Sequence, residues 1–220
     1  MKVSLVSYTK PAGILDDSEV KTPIDLVAYC ARVSNPTNQM NSATSEKLIN
    51  YLMKHRHWSP LEMVDVTLEI ETTRDIARQM LRHRSFSFQE FSQRYSDVSS
   101  LGDMFEYSEA RMQDPKNRQN SLPLEDQVTK EWWEDYQKNI IEYCGMVYKQ
   151  VIIRGIAKEV ARKVLPEGLT KSRLYMKGSL RSWIHYLEVR GEGSGTQKEH
   201  MLVAAEIAKV IAELFPLNKE

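Results

Sequence analysis

The chain lacks most of the features that would place it outside the ordinary globular class. Two cysteines in 220 residues are too few for a disulfide framework, and no run approaches the ~20 apolar residues of a membrane span. Thirty basic side chains balance thirty acidic ones, so no net field gathers a polyanion or an anionic membrane surface, and any anion recognition has to be local. There is no internal repeat, heptad array or low-complexity tract. His55, His57 and His83 have no carboxylate or cysteine at ligand spacing, so no metal site is expected. Met1 to Tyr8 is too short and polar for a signal peptide, which predicts a cytoplasmic protein.

What is present reads as one domain over residues 1–220, α+β (α/β) in class and helix-rich, around a central mixed or antiparallel sheet. Residues 2–8 suggest an edge strand, and Thr22-Pro23 opens a helix to about Arg32. A second helix is expected from Ser45 to His55. Val64, Val66, Leu68 and Ile70 alternate with polar residues, the period of a strand with one buried face. Thr72-Thr73-Arg74-Asp75 caps a helix to about Arg82 whose Arg74, Arg78 and Arg82 form a basic face. Residues 96–124 read as a long excursion with a short helix. A long amphipathic helix follows from Leu124 to Arg154, carrying Val128, Trp132, Tyr136, Ile140, Tyr143, Val147 and Val151, and Gly155 separates it from a second helix to Leu165. A short strand over Arg173–Lys177, a helix from Ser179 to Val189, and a last helix opened by a Thr196–Glu199 capping box complete the chain. Cys30 and Cys144 sit at helical spacing from apolar neighbours and read as buried, inert thiols. Gly191 to Gly195 follows a helix instead of a strand, so it reads as a flexible loop and not a dinucleotide fingerprint.

The densest polar constellation runs from Arg82 to Tyr95, Arg-His-Arg-Ser-Phe-Ser-Phe-Gln-Glu-Phe-Ser-Gln-Arg-Tyr. Guanidinium forks match phosphate oxygens, and hydroxyls and amides read the edges of a base. Composition alone equally allows a solvated basic helix end followed by a core-packed aromatic segment. The spacing is more specific: Arg-His-Arg, seven residues, then Ser92, with Arg94 two further on, resembles the signature of the flavin-dependent thymidylate synthases. His57-Trp58-Ser59-Pro60-Leu61-Glu62, Cys30-Ala31-Arg32-Val33-Ser34, Glu159 to Pro166 and Ser179 to Arg190 resemble further segments of that family in the same order.

The resemblance implies reductive methylation of dUMP to dTMP, with 5,10-methylenetetrahydrofolate as carbon donor and NADPH-reduced FAD as hydride source. It further implies a homotetramer with active sites shared between subunits. Carried over residue by residue, it assigns FAD to His57, Ser59, Arg82, His83, Arg84, Glu90, Ser179, Arg181 and His185. It assigns dUMP to Gln79, Arg82, Glu90, Ser92, Gln93, Arg94, Arg162 and Arg190. Arg190 takes the catalytic role of stabilising the uracil ring as its N3 side becomes anionic. Neither cysteine lies in an electropositive segment that would activate it for addition to carbon 6, and Ser92 has no histidine in an activating arrangement, so binding is its expected role.

Two departures from the family pattern stand out. Gly178-Ser179-Leu180-Arg181-Ser182 replaces the commoner Asn-Ala-Arg-Ser run, and His185 stands where some members have Asn. The competing class is a nucleotide- or RNA-binding module in which Phe86, Phe88 and Phe91 stack on bases. Zero net charge disfavours it. A catalytically inactive helical assembly protein of the same fold is disfavoured by the intact arginine set.

Overall fold

In the computed structural model, residues 1–193 and 195–216 are described; Ser194, in the expected Gly191–Gly195 loop, lies outside them. The alternating segments build one four-stranded antiparallel sheet from β1 (Lys2–Tyr8), β2 (Asp65–Thr73), β3 (Ser87–Glu90) and β6 (Lys171–Ser179), in the order β1-β2-β6-β3. The sheet is wholly antiparallel, the second of the two expected forms. Its central pair, β2 and β6, is in register over nine residues, from Asp65 opposite Ser179 to Thr73 opposite Lys171. Val66, Leu68, Ile70, Leu174 and Met176 are fully buried on one face. On the other face, Arg173–Glu71 (2.7 Å), Lys177–Asp65 (2.8 Å) and Tyr175–Glu69 (2.8 Å) pair across the same two strands.

Helices cover the apolar face. α1 (Pro23–Ala31) starts at the expected Thr22 with a full capping box to Asp25, and α2 (Ser45–Lys54) packs against it. α3 (Arg74–Met80) follows β2 without a loop, and α6 (Leu180–Arg190) follows β6 in the same way. The buried Ile76, Ala77 and Met80 of α3 share one core with Leu180, Trp183 and Tyr186 of α6. Trp183 Nε1 donates to the Val66 carbonyl (3.2 Å) and fastens α6 to β2. α7 (Lys198–Leu214) covers β1 and α6 through Val203, Ala204, Ile207 and Ile211.

Several elements differ from the sequence reading. α3 is shorter than expected: Thr73 is its N-cap residue, but its hydroxyl binds Asp75 instead of capping the backbone. β3 was not legible as a strand, because its alternation spans only four residues; it exists by pairing with β6. β6 is two residues longer at each end than Arg173–Lys177. No capping box forms at Thr196–Glu199. Gln197 is the N-cap residue without a side-chain cap, Thr196 donates to the Val189 carbonyl, and Glu199 is taken by Arg111. The 96–124 excursion holds a 3₁₀ turn, Val98–Leu101, and a hairpin of β4 (Arg111–Gln113) and β5 (Ser121–Pro123).

α4 (Gln127–Ile153) forms as expected, capped by Asp126, but only the end of its apolar stripe meets the core: Val128, Trp132, Tyr136, Ile140 and Tyr143 are exposed, whereas Val147 and Val151 are half-buried and Val151 packs on a small cluster with Val98, Met104 and Tyr148. The second helix after Gly155, which sits at φ 77°, is reduced to α5 (Lys158–Ala161) and a 3₁₀ turn, Arg162–Val164. Both cysteines are half-buried rather than buried, and desolvation raises the Cys30 thiol pKa, so Cys30 is not an activated nucleophile.

Gly178 makes the closest approach in the sheet. A Cβ there would lie 2.4 Å from Phe86 Cδ1, and Phe86 is itself held edge-on against Trp183 with ring centroids 4.7 Å apart. Gly178→Ala therefore forces out the ring that anchors the Arg82–Arg84 turn. We expect it to destabilise the fold by about 1–3 kcal/mol, as for overpacking elsewhere, measured as a lowered denaturation midpoint. An unchanged midpoint would show that Phe86 yields freely.

Candidate functional site

The site lies where two helices end. α3 and α6 leave opposite ends of the β2–β6 pair, run toward one another over the same core, and bring Arg190 Nε within 3.0 Å of His83 Nε2. His83 accepts that bond, so its proton sits on Nδ1. Burial, then the Arg190 charge, then His185 hold the His83 pKa below the usual imidazole range. Its ring stands edge-on to Tyr186, with centroids 4.9 Å apart. One residue assigned to FAD and one assigned to dUMP are thus in contact.

Behind this pair runs a polar chain that the sequence reading did not include. Tyr186 Oη lies 2.7 Å from Nε2 of the fully buried His200, and His200 Nδ1 lies 3.2 Å from Gln79 Oε1. Gln79 Nε2 donates to Gln197 Oε1 (2.8 Å), Gln197 Nε2 donates to Glu199 Oε2 (3.0 Å), and Arg111 grips Glu199 through both of its terminal nitrogens. Burial, reinforced by the charges of Arg190 and His83, pushes the His200 pKa down to about 3, so the ring is neutral. Burial raises the Tyr186 phenol, which stays protonated. His200 had one signal in the sequence, a histidine on the apolar stripe it shares with Val203, Ala204, Ile207 and Ile211.

A second group gathers at the other end of α3, which is ~10 Å long. Glu90 on β3 accepts from Ser172 (2.8 Å) and Arg74 (3.3 Å), while Glu167 holds Arg74 and Arg78. Two members of the expected basic face are therefore already neutralised. Beyond Glu90, Ser92 and Arg94 line a shallow cleft of about 420 Å³ with Lys158 and Glu159, and Arg94 pairs with Glu159 at 3.4 Å. Gln93 is 3 % exposed, and its Nε2 has no hydrogen-bond partner among the described residues. Arg162 is half-buried on the neighbouring 3₁₀ turn.

The remaining residues assigned to FAD flank the other side. Ser59 opens the 3₁₀ turn Ser59–Met63, whose Glu62 pairs with Arg181. His185 is exposed one turn along, 3.6 Å from Glu188. Ser179 is spent on structure, its hydroxyl capping the Ser182 N–H of α6 (3.3 Å). His57 lies 6.2 Å from the Tyr51 ring, and Tyr51 lines a cleft of about 510 Å³ with Arg32, Ser34 and Lys47. Arg82, Arg84, Arg162 and Arg190 have no carboxylate within salt-bridge distance among the described residues, whereas Arg74, Arg78, Arg94, Arg111, Arg173 and Arg181 do. Cations without anionic partners, together with the orphaned Gln93 amide, are what the phosphates of FAD and dUMP require, so the donor set fits both.

The thymidylate synthase complementing protein family model matches residues 15–217. A flavin-dependent thymidylate synthase of Synechocystis is 50 % identical over 216 residues, covering 98 % of this chain and 96 % of that one. A probable flavin-dependent thymidylate synthase of Paramecium bursaria Chlorella virus 1 is 44 % identical over the same shares. Among solved structures, a UMP/dUMP methylase of Streptomyces cacaoi bound with 5-bromo-dUMP superposes with a TM-score of 0.80 at 27 % identity, covering 98 % of this chain and 91 % of that one.

The neutral His200 generates a pH prediction. Unfolded, the imidazole takes up a proton below about pH 6.5; folded, it does so only near 3, so stability falls as pH drops through that window. Between pH 7.5 and 5.5 the protein should lose about 1.4 kcal/mol more than a His200→Phe variant in denaturant unfolding. Equal losses in both proteins would mean that His200 titrates normally.

Proposed function

We propose that this chain, which belongs to the flavin-dependent thymidylate synthase family and is a methyltransferase that makes dTMP from dUMP, does so with 5,10-methylenetetrahydrofolate as carbon donor and NADPH as the source of reducing equivalents for FAD. The observation that carries this reading is the Arg190–His83 contact, which unites a dUMP residue with a flavin residue at 3.0 Å.

The flavin, when bound, supplies hydride chemistry that no side chain can provide. The protein's own part is positioning and electrostatics. Arg82, His83 and Arg84, with His57, Ser59, Glu90, Arg181 and His185, would hold FAD, and Ser179, expected among them, serves by capping the helix that carries Arg181 and His185. Arg162 and Arg94 take the dUMP phosphate, assisted by the Ser92 hydroxyl and the Gln93 amide, and Gln79 and Arg82 face the base. His83 occupies Nε of Arg190 and leaves both terminal nitrogens to stabilise negative charge as it develops on the N3 side of the uracil. That charge makes carbon 5 the nucleophile, so no cysteine addition is needed.

The working form is a cytoplasmic homotetramer with shared sites. The exposed Val128, Trp132, Tyr136, Ile140 and Tyr143 stripe of α4 supports this, being more apolar than a solvated helix face requires. So does the separation of the dUMP residues, which fall at opposite ends of α3.

Arg190→Ala should lower single-turnover dTMP formation by at least ~10²-fold, the scale of one electrostatic stabiliser, while the protein still takes up FAD. Near-wild-type turnover would remove Arg190 from its role. The cycle itself is tested by the visible absorbance of FAD-reconstituted protein under anaerobic NADPH. Bleaching that recovers only when dUMP and methylenetetrahydrofolate are both present is the expected result, and a protein with no flavin spectrum after reconstitution would overturn it.

A further inference from the structure

The polar chain behind Arg190 has a direction. Gln79 Nε2 donates to Gln197, whose own amide donates to Glu199, and Glu199 is fixed as a carboxylate by Arg111. A carboxylate at one end accepts only, so every amide above it must present its nitrogen downward and its oxygen upward. Gln79 Oε1 is therefore the acceptor for His200 Nδ1–H, which leaves His200 Nε2 to accept from the buried Tyr186 hydroxyl. The neutral state of the ring agrees, since an imidazolium has no acceptor to offer Tyr186.

We propose that His200 is a positioning residue for base selection: the one-way chain Tyr186–His200–Gln79–Gln197–Glu199 locks the Gln79 amide with its oxygen turned to His200 and one N–H left over for a ligand. This rests on the reading of Gln79 as a contact of the pyrimidine. An amide whose spare N–H is held toward the ligand discriminates where ligands differ in polarity. Uracil and cytosine differ at the 3 and 4 positions, carbonyl oxygen against amino group at position 4. A locked N–H donates to the uracil carbonyl and opposes the cytosine amino group, whereas a free amide rotates and accommodates both. An apolar side chain that merely fills the space of His200 does not reproduce this, because the Gln79 amide is then held by Gln197 alone and a flip that turns its oxygen to the ligand costs fewer bonds.

The test is the ratio of dCMP to dUMP dissociation constants, measured by calorimetry on the FAD-loaded enzyme. His200→Phe should reduce that ratio about tenfold, the worth of one well-placed hydrogen bond, chiefly by tightening dCMP. His200→Gln, which can accept from Tyr186 and donate to Gln79, should restore it. Tyr186→Phe deletes one hydroxyl, frees the His200 tautomer and should also lower the ratio, and it serves if His200→Phe does not fold. A purely structural role would weaken both ligands alike and leave the ratio unmoved. Folded His200→Phe or Tyr186→Phe with wild-type discrimination overturns the inference and leaves the enzymatic reading standing. Failure of the unmodified enzyme to bind dUMP would instead overturn that reading, and with it the premise.

Discussion

The nine-residue register between β2 and β6 is the constraint on which the rest of the molecule depends. It aligns the end of β2 with the start of β6 and the end of β6 with the start of β2, and each strand passes into its helix without an intervening loop. The strand pair is ~30 Å long, while α3 and α6 together span ~27 Å at helical rise. Two helices launched from opposite ends of such a pair onto one apolar face must meet end to end, and Arg190 touches His83 where they do. A one-residue slip would turn Val66, Leu68 and Ile70 to the charged face, so burial of that row fixes the register and, through it, the site.

Meeting at helix C-termini also settles the electrostatics. The carbonyl ends of α3 and α6 favour positive charge, and Arg82, Arg84 and Arg190 stand there. A protein with no net charge thus concentrates cations in one place, and the carboxylates that could quench them are committed elsewhere, Glu167 to Arg74 and Arg78, Glu199 to Arg111. The remaining cations are left for anionic ligands. The hairpin of the long excursion is part of this arrangement: Arg111 and Glu109 clamp it to the start of α7, and Arg111 anchors the polar chain that reaches Gln79.

Much of this was legible in the residues. The alternation from Val64 to Ile70, the Thr22-Pro23 helix start and the length of α4 reflect local rules of period and capping, and the structure follows them. The Arg82–Tyr95 motif carried the family. Failures came where a local signal competed with a distant partner. Thr196–Glu199 has the pattern of a capping box, but Glu199 pairs with Arg111, 88 residues away in sequence. β3 is too short to show a period and forms because β6 offers an edge.

The sequence by itself determined the class of chemistry, the identity of the cationic side chains and the secondary structure of the core, because these depend on residue type and on spacing within a few turns. Only the tertiary structure decided which of those side chains touch. That Arg190 binds His83, that Ser179 is occupied as a helix cap, and that the first four turns of the α4 stripe face outward all depend on how distant elements pack. His200 shows the difference most directly. In sequence it is a histidine on an apolar stripe; in the fold it is neutral and buried between Tyr186 of the preceding helix and Gln79, 121 residues away in sequence, where water cannot reach.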